Sequence, residues 1–187
     1  EPLFRSASNR KREGKGVYIF SNGDKYEGDF KQGMKDGEGK YTYSNGNVYE
    51  GTWKEDEKCG QGTYYCLSHS DVEELRHKDI KNVCNIYKGE FLNGKFEGKG
   101  TVTYSNGDTF EGAFYDDKKE GYGVYKFGDG KIYQGNFSHD NFEGEVTMFY
   151  PDKSKMTGEY RNSTPIGVHV KVYPNEKVEE INFGEPN

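Results

Sequence analysis

Little in this chain suits a conventional globule. Only 31% of its 187 residues are hydrophobic, well below the globular average, which argues against a deep aliphatic core. No apolar run is long enough to span a membrane as a helix, and neither a signal-peptide pattern nor an initiating Met is found. The expectation is an intracellular protein or a fragment of a larger one. Three cysteines, Cys59, Cys66 and Cys84, are too few for a disulfide framework and form no CxxC pair, so a reducing, cytoplasmic setting follows. Positive charge is short as well: 26 Lys and Arg stand against 32 Asp and Glu, a formal net charge of −6 with the signs interleaved. That excludes nucleic acid as an expected partner. The exception is the cluster Arg5, Arg10, Lys11, Arg12 and Lys15, read as a basic tail over residues 1–13.

Reactive constellations are equally scarce. The four histidines, His69, His77, His139 and His169, lie apart in phase and setting, and no Ser or Cys stands in a nucleophile-elbow context. Turn segments such as SNGDKYEG and SNGDTFEG lack the alternating carboxylates and terminal bidentate Glu of a calcium loop. The glycine pairs lead into strand-like runs, not into a helix that holds a phosphate. No catalytic residue, cofactor or metal is expected.

What the chain has in quantity is aromatic residues, 16 Tyr and 12 Phe, and 26 glycines, and both are periodic. Pairs of the form GxG stand at Gly14/Gly16, Gly37/Gly39, Gly60/Gly62, Gly98/Gly100 and Gly121/Gly123. The interval is 23 residues except between Gly60 and Gly98, where 38 residues equal one repeat plus a 15-residue insertion. Gly144 and Gly167 continue the series, with Val146 and His169 in place of the second glycine. In register with these runs a second series: Tyr26-Glu-Gly-Asp-Phe30, Tyr49-Glu-Gly-Thr-Trp53, Tyr87-Lys-Gly-Glu-Phe91, Phe110-Glu-Gly-Ala-Phe114, Tyr133-Gln-Gly-Asn-Phe137 and the degraded Met156-Thr-Gly-Glu-Tyr160. Aromatic, glycine and aromatic at i, i+2 and i+4 put all three on one face of a strand. A bare Cα in mid-strand leaves room for an aromatic ring from a neighbouring strand. Further strand-like runs, among them Tyr41/Tyr43, Val102/Tyr104 and Tyr125/Phe127, end on Asn22-Gly23, Asn45-Gly46, Asn106-Gly107 and Asp129-Gly130. Those pairs predict two-residue hairpin turns with positive φ.

Segments such as YEGDFKQGMKDGEGKYTYSNG and FEGAFYDDKKEGYGVYKFGDG closely resemble the MORN (membrane occupation and recognition nexus) repeat, whose pattern is roughly YxGxWxxGxxxGxGxxxxxxG. The resemblance implies an all-β fold: an elongated single-layer antiparallel sheet of tandem 23-residue β-hairpin repeats, twisted into a half-pipe solenoid with an exposed, ring-lined concave surface. Nearest-neighbour stacking of hairpins leads independently to a solenoid. The expected array covers residues 14–174, as a partial unit 14–25, units 26–48, 49–86, 87–109, 110–132 and 133–155, and a degenerate unit 156–174, followed by a cap or tail over 175–187. Within the insertion, Ser70-Asp-Val-Glu73 has capping-box form and Val72, Leu75 and Ile80 offer an apolar side, so a short helix is expected at a lengthened hairpin tip in 67–86.

Two functions of different class remain open. The first is a protein-interaction scaffold whose concave groove takes a partner's helix or extended segment, linking partners to cytoskeleton or membrane. Its candidate contacts are Tyr26, Phe30, Tyr41, Tyr43, Tyr49, Trp53, Tyr64, Tyr87, Phe91, Tyr104 and Phe110, with Trp53 central. The second is phospholipid or membrane-surface binding, for which only Arg10, Lys11 and Arg12 offer a foothold in a net acidic chain. The resemblance also implies a homodimer through the C-terminal repeats as one alternative and an accessory module of a larger enzyme as another.

Overall fold

A computed structural model describes residues 11–67 and 84–184. Among the described residues there is no helix, and fourteen strands form one antiparallel sheet whose spatial order is the chain order. The chain divides into two compact units, Glu1–Glu97 and Gly98–Asn187. The first holds β1 (Gly14–Ile19), β2 (Lys25–Lys31), β3 (Met34–Thr42), β4 (Val48–Lys54), β5 (Glu57–Leu67) and β6 (Cys84–Leu92). Strand β7 (Lys95–Thr103) leads into the second, with β8 (Thr109–Tyr115), β9 (Lys118–Lys126), β10 (Ile132–Ser138), β11 (Asn141–Phe149), β12 (Lys155–Arg161), β13 (Thr164–Val172) and β14 (Val178–Asn182). The expected tandem hairpins are therefore present. The helix expected in the insertion falls on residues 68–83, outside the described residues.

Two kinds of turn alternate, and one differs from expectation. At the Ser-Asn-Gly sites the loop has three residues: Gly46 N donates to Tyr43 O and Tyr43 N to Asn47 O, both at 2.9 Å. Gly46 takes φ +90° while Asn45 does not adopt positive φ, the arrangement of a type I turn closed by a left-handed glycine. The Asn side chain explains the choice, because its amide oxygen accepts from the backbone two residues on, as Asn22 Oδ1 does from Asp24 N at 3.0 Å. True two-residue turns with both central residues at positive φ stand at the opposite ends of the strands. They lie at Gln32-Gly33, Glu55-Asp56, Asn93-Gly94, Asp116-Asp117, His139-Asp140 and Asn162-Ser163. Most lack glycine, so the strain of left-handed backbone is offset by the ladders on either side.

The core lies along one face. In β2 the Tyr26 ring lies over Gly28 of its own strand and over Gly39, the residue opposite Gly28 in β3. A Cβ on Gly28 would stand 2.6 Å from the Tyr26 hydroxyl oxygen. The flattened ring reaches Asp29, whose carbonyl accepts from its hydroxyl at 2.9 Å. Tyr49 and Tyr87 repeat the contact with Thr52 O and Glu90 O at 2.9 and 2.8 Å. Phe30 and Trp53 then pack edge-on against Tyr26 at 5.0 and 5.5 Å between centroids. Rings in a one-layer sheet, expected to be only partly covered, are thus buried by lying flat and interlocking with the next repeat. The opposite face of the first unit carries charged cross-strand neighbours such as Lys40 and Glu50, paired at 2.9 Å and worth little individually at this exposure.

The last repeats keep this architecture with other residues. Met156 stands where Tyr26 and Tyr49 stand, and His169 replaces the second glycine of its pair. The His169 ring fills the space over Gly158, fully buried. Its Nε2 lies 2.9 Å from Glu159 O, the carbonyl equivalent to those the tyrosines reach. Ring and glycine have exchanged strands while the hydrogen bond is conserved. The cost is a buried Nδ1 without a partner.

Candidate functional site: a row of half-exposed rings

The eleven rings proposed as groove contacts separate into two layers. Tyr26, Phe30, Tyr41, Tyr49, Trp53, Tyr87, Phe91 and Phe110 are buried, none more than 9% exposed. Tyr43, Tyr64 and Tyr104 remain half-exposed. Tyr43 and Tyr104 belong to a series that periodicity contained but that was not singled out: one ring at the base of each Ser-Asn-Gly-type turn. In the first unit it comprises Phe20 and Tyr43, with Cys66 at the third place. In the second it comprises Tyr104, Phe127, Tyr150 and Tyr173. All six rings are half-exposed.

Ring contacts join the row from Phe20 to Tyr43 in the first unit and from Tyr104 to Phe127 in the second. Phe20 lies 5.5 Å from Tyr41, Tyr41 4.6 Å from Tyr43, and Tyr43 6.1 Å from Tyr64, which is itself 6.1 Å from Phe96. In the second unit Tyr104 lies 5.7 Å from Tyr125, Tyr125 4.6 Å from Phe127, and Phe127 4.9 Å from Tyr133.

The space beside the row is filled by the protein's own cations. Lys35 Nζ sits 4.5 Å over Trp53 and 5.0 Å over Tyr41; Lys58 Nζ sits 4.9 Å over Tyr64 and 5.4 Å over Tyr49. Lys119 occupies the equivalent place over Phe110 and Tyr104. Burial pushes the Lys35 ammonium below its ordinary pKa against the opposing pull of Asp56. Arg12 belongs to the same series, with its guanidinium 3.7 Å over the Tyr18 ring and its carbonyl accepting from Gly33 N at 2.9 Å. It is therefore a packed member of the array. Lys11 is exposed, and Arg10 lies outside the described residues.

Buried carboxylates anchor the turns that carry the rings. Asp24, 7% exposed, accepts from the Tyr41 hydroxyl at 2.7 Å, from Ser44 N at 2.8 Å and from Asn22 Nδ2 at 3.0 Å. Asp108 repeats the set with Tyr125 at 2.9 Å, Gly128 N at 2.8 Å and Asn106 at 3.0 Å. The Tyr41 hydroxyl above all holds the Asp24 carboxyl below the usual range, and the Gly128 amide above all does so for Asp108. Tyr41 and Tyr125 are pushed up in turn, first by burial. Sequence reasoning reads these SNGD segments as hairpin turns and sets them aside as calcium loops, without a role for the Asp. The missed signal was the recurrence of Asp with a tyrosine 17 residues later. Among the described residues no cluster of three or more His, Cys, Asp or Glu is placed to hold a metal.

The geometry accords with the comparisons. A solved structure of the Drosophila melanogaster SAS-4 TCP domain, in complex with a proline-rich motif of Ana2, is alike in fold. It shares 18% identity and a TM-score of 0.53, over 97% of this chain and 96% of that one. The TCP10 domain of Danio rerio CPAP matches more weakly, at 13% identity and a TM-score of 0.33 over 90% and 84%. No curated protein sequence matches the chain. The MORN repeat pattern matches residues 11–25, 26–48, 49–69, 87–109, 110–132 and 133–155, so that six consecutive units cover most of the sequence. The chain belongs to the MORN repeat family.

Proposed function

We propose that this protein is a non-enzymatic interaction scaffold that binds extended segments of partner proteins along its rows of half-exposed rings. The observation that carries the reading is the row itself. Six rings at one register place, Phe20, Tyr43, Tyr104, Phe127, Tyr150 and Tyr173, are left half-exposed, next to buried rings such as Tyr41, Tyr49 and Phe110 and beside space taken by Lys35, Lys58 and Lys119. A narrow line of spaced aromatic faces suits a polyproline or extended chain better than a helix, which needs a broad groove. The SAS-4 TCP domain, similar in fold, holds a proline-rich motif, which supports the same partner form. Tyr43 offers a ring whose hydroxyl makes no hydrogen bond among the described residues, leaving it available to a partner carbonyl.

The lipid-surface reading draws less support. Its basic foothold loses Arg12 to the rings of Tyr18 and Phe30, and the chain carries a net charge of −6.

The test separates the two layers of rings. Pulldown from a lysate with Tyr43→Ala or Phe127→Ala should lose captured partners while the thermal melt stays within a few degrees of the parent. Trp53→Ala, which empties a buried site, should instead lower stability by about 3–5 kcal/mol. Partner capture unchanged in Tyr43→Ala/Phe127→Ala would count against the row.

A further inference from the structure

The last hairpins of the second unit depart from the earlier ones by setting lysines where a tyrosine and an aspartate stood. Lys171 in β13 holds the register place of Tyr41 and Tyr125, whose hydroxyls end on Asp24 and Asp108. The turn residue equivalent to those aspartates is here Ser154, whose hydroxyl donates to Asp152 at 2.6 Å. The acceptor has gone and a cation has replaced the phenol. Lys171 Nζ lies between two half-exposed rings, 4.7 Å from Tyr150 and 4.8 Å from Tyr173, and among the described residues it makes no hydrogen bond or ion pair. The nearby carboxylates accept hydrogen bonds from other groups, Asp152 from Ser154 and Glu179, opposite Lys171 in the β13 to β14 register, from the Tyr173 hydroxyl at 2.7 Å, so that Asp152 acts on Lys171 only through its charge. Lys177 stands at the turn position that Asp24 and Asp108 hold in earlier hairpins and places a second ammonium 5.3 Å over the Tyr173 ring. A half-buried ammonium that lies against ring faces and makes no hydrogen bond keeps its N–H donors for an outside acceptor.

We propose that this end of the ring row docks an acidic stretch of an extended partner segment. Asp or Glu carboxylates of that segment meet Lys171 and Lys177, and its apolar part lies on Tyr150 and Tyr173. The inference rests on the reading of the rings as a docking row, and charge complementarity commits it to an acidic peptide.

Fluorescence anisotropy of the full chain against two synthetic proline-rich peptides tests it, one ending in Glu-Asp-Glu and the other in Gln-Asn-Gln. The acidic peptide should bind on the order of tenfold tighter at low salt, and the advantage should fade as salt screens it. Lys171→Gln/Lys177→Gln should abolish the advantage while leaving the neutral peptide's affinity unchanged. Lys177→Gln alone, at an exposed side chain, should remove part of it with an unaltered melt, which guards against a folding defect in the double variant. Equal affinities for the two peptides, or an acidic advantage that survives the double substitution, overturn the charge assignment and leave the ring row standing. Failure of both peptides to bind sinks the row and this inference together. Cosedimentation with phosphatidylserine vesicles that depends on the two lysines, in the absence of peptide binding, reassigns them to a lipid surface and likewise overturns it.

Discussion

At the scale of single residues, the fold depends on what is missing from a Cα. A Cβ on Gly51 would stand 2.6 Å from the Gly62 Cα, 2.7 Å from Gln61 O and 2.7 Å from the Tyr49 hydroxyl oxygen, two of them backbone atoms that cannot swing aside. Gly51→Ala should therefore cost about 1–3 kcal/mol or more, read as a lowered urea midpoint; a neutral result would show that β4 and β5 slide apart freely. The buried turn aspartates set a pH dependence. Asp108 has a native pKa below its unfolded value. Its stabilisation is present above the ordinary carboxylate range and is lost as pH falls through the lowered native value. Asp108→Asn should cost about 1 kcal/mol near neutral pH. Melts of parent and variant should converge as pH drops below about 4. A gap that persists at pH 2 would mean that the carboxylate charge contributes nothing. Asn47, which occupies the same place in an earlier hairpin and reaches Tyr64 and Leu67 N at 2.9 Å each, shows that an amide is accommodated there.

At the scale of the hairpin, sequence located the turns but misjudged their kind. Asn-Gly is the usual mark of a two-residue turn, and the reading placed one at Asn45-Gly46. The loop there has three residues because the turn side chain bonds ahead to the backbone of Asn47, a local contact that competes with left-handed backbone at Asn45. The real two-residue turns were illegible, since Glu55-Asp56 and Asp116-Asp117 lack the glycine such turns favour. They persist because partners hold them: Asp56 N donates to Lys35 O, and Asp56 Oδ1 accepts from Lys35 N, each at 2.9 Å. Glu55, at φ +48°, donates its backbone N–H to Asp36 Oδ2 at 3.4 Å. Glu55→Asn should raise stability by about 0.5–1 kcal/mol, seen as a higher urea midpoint at constant slope. A drop would show that the Glu55 side chain is used.

At the scale of the whole molecule, each described hairpin packs on its neighbours in sequence, so stability accumulates from neighbour to neighbour and local changes stay local. That is why the late repeats tolerate the exchange of Tyr and Gly for Met156 and His169, and the change from Tyr and Asp to Lys171 and Ser154. Each exchange is settled within one hairpin and the next. Function is then free to differ along the array, with internal cations closing the face in the first unit and open lysines beside the rings at the far end of the second.

The sequence alone determined the strands, their 23-residue unit and the face on which glycine and aromatic residues alternate, because a two-residue side-chain period and a fixed interval are properties of the chain. It did not separate buried rings from half-exposed ones. Tyr41 and Tyr43 share a strand parity and a residue type, and only packing against Trp53, Lys35 and Asp24 buries the first and leaves the second in reach of a partner. The tertiary structure also decided the fate of the charges, turning Arg12 inward to a ring and setting Lys171 between the rings of Tyr150 and Tyr173 with no ion pair among the described residues. Which cation meets which ring depends on the neighbouring hairpin, and that distance is set by the stack.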